Sequence, residues 1–337
     1  MLDSPPPAFV KVSIGSAITL GLAKGRLDAK PTTIYLLTHY QGKCIGNCAF
    51  CSQARESLSK ADLLSRVIWP TFETREVINS IRNIENKEIR RVCIQTINYP
   101  NVYNDLLALC KSIMSCTGLP ISVSCKPLRK KQIEQLHALG VDRIGIPIDA
   151  ASKSIFDKVK GRAVGGPYRW TETMHALRNA VSIFGKYHVT THLIVGMGER
   201  DDELLETIQK MVDMGVHPSL FAFTPILGSK YENLPQPSIE RYRRIQMAQY
   251  LIAHKIADVK AMEFDSSGNL VSFGIRDDLV LEVAQTGLPF MTSGCPGCNR
   301  PFYNERPGGK IYNYPSKPNP ADIENIVNNL FIGIKDG

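Results

Sequence analysis

The 337 residues include 43% hydrophobic side chains, enough for a large core, and no apolar run reaches the length of a membrane-spanning helix. The leading MLDSPPPAFVKVSIG lacks the basic-then-apolar layout of a secretory signal. A reducing, cytoplasmic location is therefore expected, where nine cysteines point to metal binding or chemistry rather than disulfides. The net charge of +8 is spread over scattered Lys and Arg, which speaks against a nucleic-acid module and suits an acidic partner or an anionic cofactor.

Residues 8–25 (FVKVSIGSAITLGLAKGR) carry helical apolar spacing and predict a leading helix within an N-terminal extension over 1–30. Strands then follow at Ile34–Thr38, Val92–Ile97, Ile121–Cys125, Arg143–Ile148, Val189–Val195, Leu220–Thr224, Ala261–Asp265 and Pro289–Thr292. Helical stretches fall between them, among them Thr74–Ile84, Asn104–Met114, Lys130–Leu139, Thr171–Ser182, Glu203–Met214 and Ile239–His254. Such alternation predicts a parallel sheet, and eight units over 31–292 predict an α/β (β/α)8 TIM-type barrel, closed or partly open. The seventh unit is the weakest, because Asp265–Gly274 is rich in Ser and Gly. Residues 293–337 form a Gly-, Pro- and Asn-rich tail carrying Cys295-x2-Cys298 and a short helix, Ala321–Leu330.

The segment Cys44-Ile45-Gly46-Asn47-Cys48-Ala49-Phe50-Cys51 has C-x3-C-x2-C spacing and follows the first strand, at the catalytic face of a barrel. Three thiolates on a short loop can bind three irons of a [4Fe–4S] cubane and leave the fourth iron open. A zinc knuckle would instead use four N or S ligands in paired C-x2-C units.

This spacing resembles that of the radical S-adenosylmethionine superfamily. The resemblance implies that the open iron chelates S-adenosylmethionine and that its cleavage releases a 5′-deoxyadenosyl radical. It also implies cofactor contacts. Phe50 stands where an aromatic packs near the adenine, and Ile194-Val195-Gly196-Met197-Gly198-Glu199 is similar to the fifth-strand adenine segment. Asp149 matches the ribose-binding carboxylate. Taken alone, the glycines could form a tight turn and Asp149 a helix cap. Gln95-Thr96-Ile97-Asn98 replaces the family's Gly-Gly-Glu stretch, so Thr96 is a candidate contact and the holder of the methionine amino group is open.

Cys93 and Cys125 resemble two barrel cysteines that bind an auxiliary cluster in biotin synthase. The third, on strand five, is missing from Val189-Thr190-Thr191-His192-Leu193. With Cys295 and Cys298 they make four thiolates, the number that fills a second [4Fe–4S] cluster. The alternatives are small core residues for Cys93 and Cys125 and zinc for Cys295 and Cys298. Cys110 and Cys116 read as packing residues. His192 is either a ligand or a hydrogen-bonded core residue.

The tail Ser293-Gly294-Cys295-Pro296-Gly297-Cys298-Asn299-Arg300 through Gly309, with Cys48-Ala49-Phe50-Cys51-Ser52-Gln53-Ala54-Arg55, most resembles one component of the archaeal-type two-protein lipoyl synthases. That resemblance implies sulfur insertion at C6 or C8 of an octanoyl chain on a carrier-protein lysine, and consumption of the auxiliary cluster. The implied partners are an octanoylated carrier (glycine cleavage H protein or a lipoyl domain), a second synthase component and a low-potential electron donor. Arg300 and Arg306 could contact carrier or cluster, or be surface residues paired with Glu305. The rival readings are biotin synthase-like sulfur insertion, a non-sulfur radical enzyme of cofactor biosynthesis, and an RNA-modifying or RNA-binding protein.

Overall fold

Strands buried on both faces read as continuous β-branched and aliphatic runs, the mark of a parallel sheet covered by helices. Thr33–Thr38 is buried at every position, and it is one of six parallel strands that form the frame. A computed structural model describes residues 5–305 and 308–331. In chain order the elements begin with β1 (Phe9–Val12), α1 (Ile14–Thr19), β2 (Thr33–Thr38), β3 (Leu63–Leu64), β4 (Val67–Ile68), β5 (Thr71–Glu73) and α2 (Thr74–Arg82). β6 (Arg91–Gln95), α3 (Val102–Met114), β7 (Ile121–Ser124), α4 (Lys130–Leu139), β8 (Arg143–Gly145), α5 (Lys153–Val159) and α6 (Trp170–Phe184) follow. The chain continues through β9 (Val189–Val195), α7 (Asp201–Asp213), β10 (Val216–Ala222), α8 (Ile239–Ala253), β11 (Glu263–Phe264), β12 (Leu270–Ser272), α9 (Asp277–Gln285) and α10 (Pro320–Leu330).

The main sheet runs β10-β9-β8-β7-β6-β2-β1-β5. β2, β6, β7, β8, β9 and β10 pair in parallel, while β1 is antiparallel to both β2 and β5. The sheet ends at β10 and β5, so the barrel is partly open. Helices cover its outside with apolar stripes at helical spacing, as in α7, where Leu204, Leu205, Ile208, Met211 and Val212 are buried. α4 stops at Gly140, whose φ of 104° is a left-handed cap that glycine adopts without a Cβ penalty.

Three expectations need correction. The leading helix over 8–25 is in fact strand β1 followed by the one-and-a-half-turn α1. Val10 and Val12 are fully buried and pair with Thr38 and Leu36, because the exposed edge of β2 needs a hydrogen-bonding partner. The seventh candidate strand yields only β11, which pairs with β12. Asp265 starts the turn between them by accepting the N–H groups of Ser267 and Asn269 (2.8 and 2.9 Å). The eighth, Pro289–Thr292, is a 3-10 turn, Leu288–Phe290, followed by a single bridge from Met291 to Tyr314. The parallel part therefore has six strands, not eight.

The tail closes the end of the barrel where the strands begin. Asn299 accepts the Thr32 N–H (3.0 Å) and donates to the Lys30 carbonyl (2.9 Å), and Arg91 donates to the Pro296 carbonyl (3.3 Å). Among the described residues no helix is long and apolar enough to cross a membrane.

Candidate active site

The loop after β2 carries the first cysteine triplet. It is closed on itself by main-chain bonds from Cys44 to Gln53 (3.0 Å), Cys51 to Cys48 (3.1 Å) and Arg55 to Gly46 (2.9 Å). It is tied to its neighbours by Ala49 N–H to the Val159 carbonyl and Ile45 N–H to the Asn98 carbonyl (both 2.7 Å). The Cys44 sulfur accepts the N–H groups of Gly46 (3.3 Å) and Asn98 (3.1 Å). Burial pushes the Cys51 thiol up to about 12 despite the main-chain hydrogen bond at Gln53. It pushes Cys48 higher still, against the pull of the Lys160 ammonium. Cation binding must therefore displace protons from both.

Two features of the loop fit a bulky inorganic group. A Cβ on Gly46 would stand 2.8 Å from the Tyr168 hydroxyl and 3.3 Å from the Cys44 sulfur, so only glycine leaves that cradle open. The buried Oδ1 of Asn98 has no partner in the protein, although its own N–H points at Cys44. Among the described residues no three His, Cys, Asp or Glu side chains gather as ligands of a single ion. Thiolates bound to separate irons of a cubane need not converge on one point.

Beneath the loop opens one cavity inside the barrel, with about 1130 Å³ of atom-free space, part of it open to solvent. Phe50, Cys51, Asp149, His192 and Ile194 line it at or towards the ends of the strands. Asp149 holds a left-handed backbone (φ 61°), and its N–H bonds to the His192 carbonyl (2.8 Å). Its carboxylate pairs with Lys160 at 2.7 Å, both side chains being close to fully buried. Lys160 also donates to the Pro147 carbonyl (2.9 Å) and lies over the Tyr168 ring at 5.1 Å. Sequence reasoning missed Lys160, which sits in no motif.

Thr96, Gly196 and Glu199 do not line that cavity. Thr96 N–H donates to the Ser124 carbonyl (2.9 Å). Gly196 has φ 105°, and a Cβ there would stand 2.8 Å from Pro237. The Glu199 carboxylate is committed to the turn: it accepts the N–H groups of Gly196 (2.7 Å) and Met197 (2.8 Å) and pairs with Arg241 (3.0 Å). Any ligand at this turn meets backbone rather than a free carboxylate.

The second thiol set is smaller than the sequence suggests. Cys93 on β6 lines the same cavity as Cys295 and Cys298. Burial raises the Cys93 thiol, and both tail thiols raise it further. The Cys298 sulfur lies 3.3 Å from the Tyr35 hydroxyl, and Ser122 donates to the Cys295 sulfur at 3.6 Å. Cys125 does not join them. Cys93 and Gln95 pair across the sheet with Ser122 and Ser124, so alternation turns Cys125 to the other face. There it packs in the main core with Cys110, and burial pushes it up to about 12. The expected four-thiolate set is thus three thiols, with any fourth ligand supplied by another group. Cys125→Ala should keep the iron content of the wild type, while Cys93→Ala should lose the iron bound by the second set. Iron assay of the reconstituted variants checks this, and equal losses would restore Cys125.

Arg300, given either as a contact or as a surface residue, is buried and lines the cavity. Its N–H donates to the Tyr35 hydroxyl (2.9 Å), its guanidinium donates to the Ser293 carbonyl and lies 4.1 Å above the Phe221 ring. Glu305 does not pair with it. Its carboxylate accepts the N–H groups of Asn304, Tyr312 and Asn313 (3.0, 2.9 and 2.8 Å). Arg306 lies outside the described residues.

His192 faces Phe221 at 4.9 Å. Burial lowers its pKa to about 4; Asp149 opposes this, and Arg300 and Lys160 add to it. Burial likewise lowers His217 to about 4, with help from Arg300, Arg143 and His254. Both rings are neutral at pH 7. Between pH 4 and 6.5 the unfolded chain binds the extra protons, so stability is full above pH 6.5 and falls as pH drops towards 4. The loss should be on the order of 3 kcal/mol per ring. Urea melts of His217→Phe across that range should show about half the slope of the wild type; an unchanged slope would refute it.

A partly open parallel barrel with a cysteine triplet at its mouth and a lumen beneath defines a barrel of the cluster-binding enzyme class. The family model for the radical SAM superfamily matches residues 39–211, just over half of the chain. The chain belongs to that superfamily, whose members work with S-adenosylmethionine and a [4Fe–4S] cluster. The biotin synthase of Methanococcus aeolicus is 24% identical over 220 residues, covering 64% of this chain and 63% of that protein. The chain thus spans just under two thirds of the length of that curated relative. Among solved structures, HydG, a maturase of the [FeFe]-hydrogenase, superposes with a TM-score of 0.51 at 14% identity, over 66% of this chain and 49% of that one. Methylornithine synthase (PylB) does so with a TM-score of 0.50 at 14% identity, over 65% and 62%. These two likenesses concern the fold alone.

Proposed function

We propose that this chain is a sulfur-inserting radical enzyme that acts on an octanoyl chain carried on a protein lysine, together with a second synthase component. The observation that carries the reading is the single cavity with thiols at both ends: Cys51 beside Phe50 at one, Cys93, Cys295 and Cys298 at the other. Cys44, Cys48 and Cys51 would hold the [4Fe–4S] cluster that binds S-adenosylmethionine, which supplies a hydrogen-abstracting 5′-deoxyadenosyl radical. Cys93, Cys295 and Cys298 would hold a second cluster as the sulfur source. Between them Leu64, Ile226, Phe221 and Phe223 give the lumen an apolar lining that suits an alkyl chain and excludes water from a reactive radical. Asp149, held by Lys160, would meet the ribose, and the main chain at Gly196 the adenine. The +8 charge favours encounter with an acidic carrier. A low-potential donor is required for reduction.

A second reading is biotin synthase-like insertion into a small free substrate, favoured by the Methanococcus relative. An anaerobic assay separates the two. An octanoylated carrier peptide should yield 5′-deoxyadenosine and a thiolated peptide. Thiolation of the free biotin precursor instead would select the second reading. 5′-Deoxyadenosine without any thiolated product would remove sulfur insertion altogether.

A further inference from the structure

The Cys295–Cys298 loop separates two cavities. The first is the barrel lumen. The second lies outside it, at the end of the barrel where the strands begin, with about 1010 Å³ of atom-free space partly open to solvent. Its walls include Thr32, just before β2, His217, near the start of β10, and Ala253, at the end of α8. Cys295 and Cys298 line both cavities, and between them Pro296 and Gly297 are exposed. The loop is thus a thin partition, with the same two sulfurs reachable from either side. The second cavity also has polar side chains in its wall. Gln249 is buried there, donating to the Pro218 carbonyl (3.1 Å). The Nε2 of His217 is buried and has no partner in the protein, an unmet hydrogen-bonding group in the wall.

We infer that this second cavity is the inlet through which hydrosulfide and ferrous ion reach Cys295 and Cys298. The inference rests on the reading that these thiols hold a sulfur source consumed in turnover. A source used up must be restored, and the lumen is the wrong route for that. Its mouth is the one at which cofactor and acyl chain bind, so an occupied lumen bars passage to the tail thiols. The outer cavity has Gln249 and the unmet Nε2 of His217 in its wall, ends on the same sulfurs and stays open while substrate fills the lumen. Substrate and sulfur then arrive from opposite ends of the barrel.

The test reads access directly. Iron-free protein is treated with iodoacetamide, and alkylation of Cys295, Cys298 and Cys51 is followed by peptide mass spectrometry. Ala253→Trp and Leu288→Trp each place an indole in the outer cavity. Ile226→Trp narrows the lumen. Both outer variants should slow alkylation of Cys295 and Cys298 by roughly tenfold or more, since access limits thiol reactivity, with Cys51 unchanged. Ile226→Trp should slow Cys51 and spare the tail thiols. Unchanged rates at Cys295 and Cys298 in both outer variants, or equal slowing by Ile226→Trp, would overturn the inlet. Two variants at separate walls guard against misfolding of either one. Failure of the underlying reading looks different: reconstituted wild type would then hold about four irons rather than about eight.

Discussion

Replacing Cys44, Cys48 and Cys51 together by Ala should lower the iron of the anaerobically reconstituted chain from about eight per molecule to about four and abolish reductive cleavage of S-adenosylmethionine. This is the largest effect expected of any substitution here. The loop should keep its shape, because the bonds that close it, from Cys44 to Gln53, Cys51 to Cys48 and Arg55 to Gly46, are all main chain. The Gly46, Asn98 and Gln53 N–H groups lose their acceptor. Circular dichroism should therefore match the wild type while Mössbauer spectra lose one of two cluster signals. Four irons in the wild type and none in the variant would leave the triplet as the sole cluster site. Cys93, Cys295 and Cys298 would then be packing residues around Tyr35 and Tyr303, and the sulfur-insertion proposal would fall.

Part of this site was legible along the chain because its signals are local. The triplet sits within eight residues, and the C-x2-C of the tail within four. Strand β9 and helix α4 were bounded correctly at both ends, since Val189–Val195 is continuously β-rich and Lys130–Leu139 closes on Gly140. The misreadings arose where tertiary contacts decide. Nothing local distinguishes FVKV as a strand until β2 needs an edge partner. Cys125 stands one residue beyond Ser124, and one residue in a strand exchanges lumen for core. Its face follows from cross-strand register with Cys93, which spacing along a single chain does not contain. Lys160 and His217 carried no signal at all. Their importance comes from what the fold sets against them: Asp149, eleven residues away in sequence across a loop and a helix, and a cavity wall built from the tail.

That pairing supports the second large effect. Lys160→Met should destabilise the chain by roughly 3–5 kcal/mol, because it leaves the Asp149 carboxylate buried without its cation. The Asp149 side chain is only 11% exposed, so water cannot take over the role of the ammonium. Burial by itself would lower the Lys160 pKa, but Asp149 and the thiols of Cys48 and Cys51 outweigh it and the net direction is up. A lysine raised in the folded state contributes stability that is complete below its unfolded pKa of about 10.4 and fades as pH rises through the folded value. The gap between wild type and variant should therefore be constant from pH 7 to about 10. Adding Asp149→Asn to Lys160→Met should recover much of the loss. It removes the stranded charge and keeps a residue type that tolerates the left-handed backbone at this position. The double variant should then fold and still bind S-adenosylmethionine poorly, which separates the structural role of the pair from its proposed role at the ribose. Urea midpoints of the three proteins decide the matter. A single variant as stable as wild type, or a double variant no better than the single, would show that the ion pair does not hold this end of the cavity together.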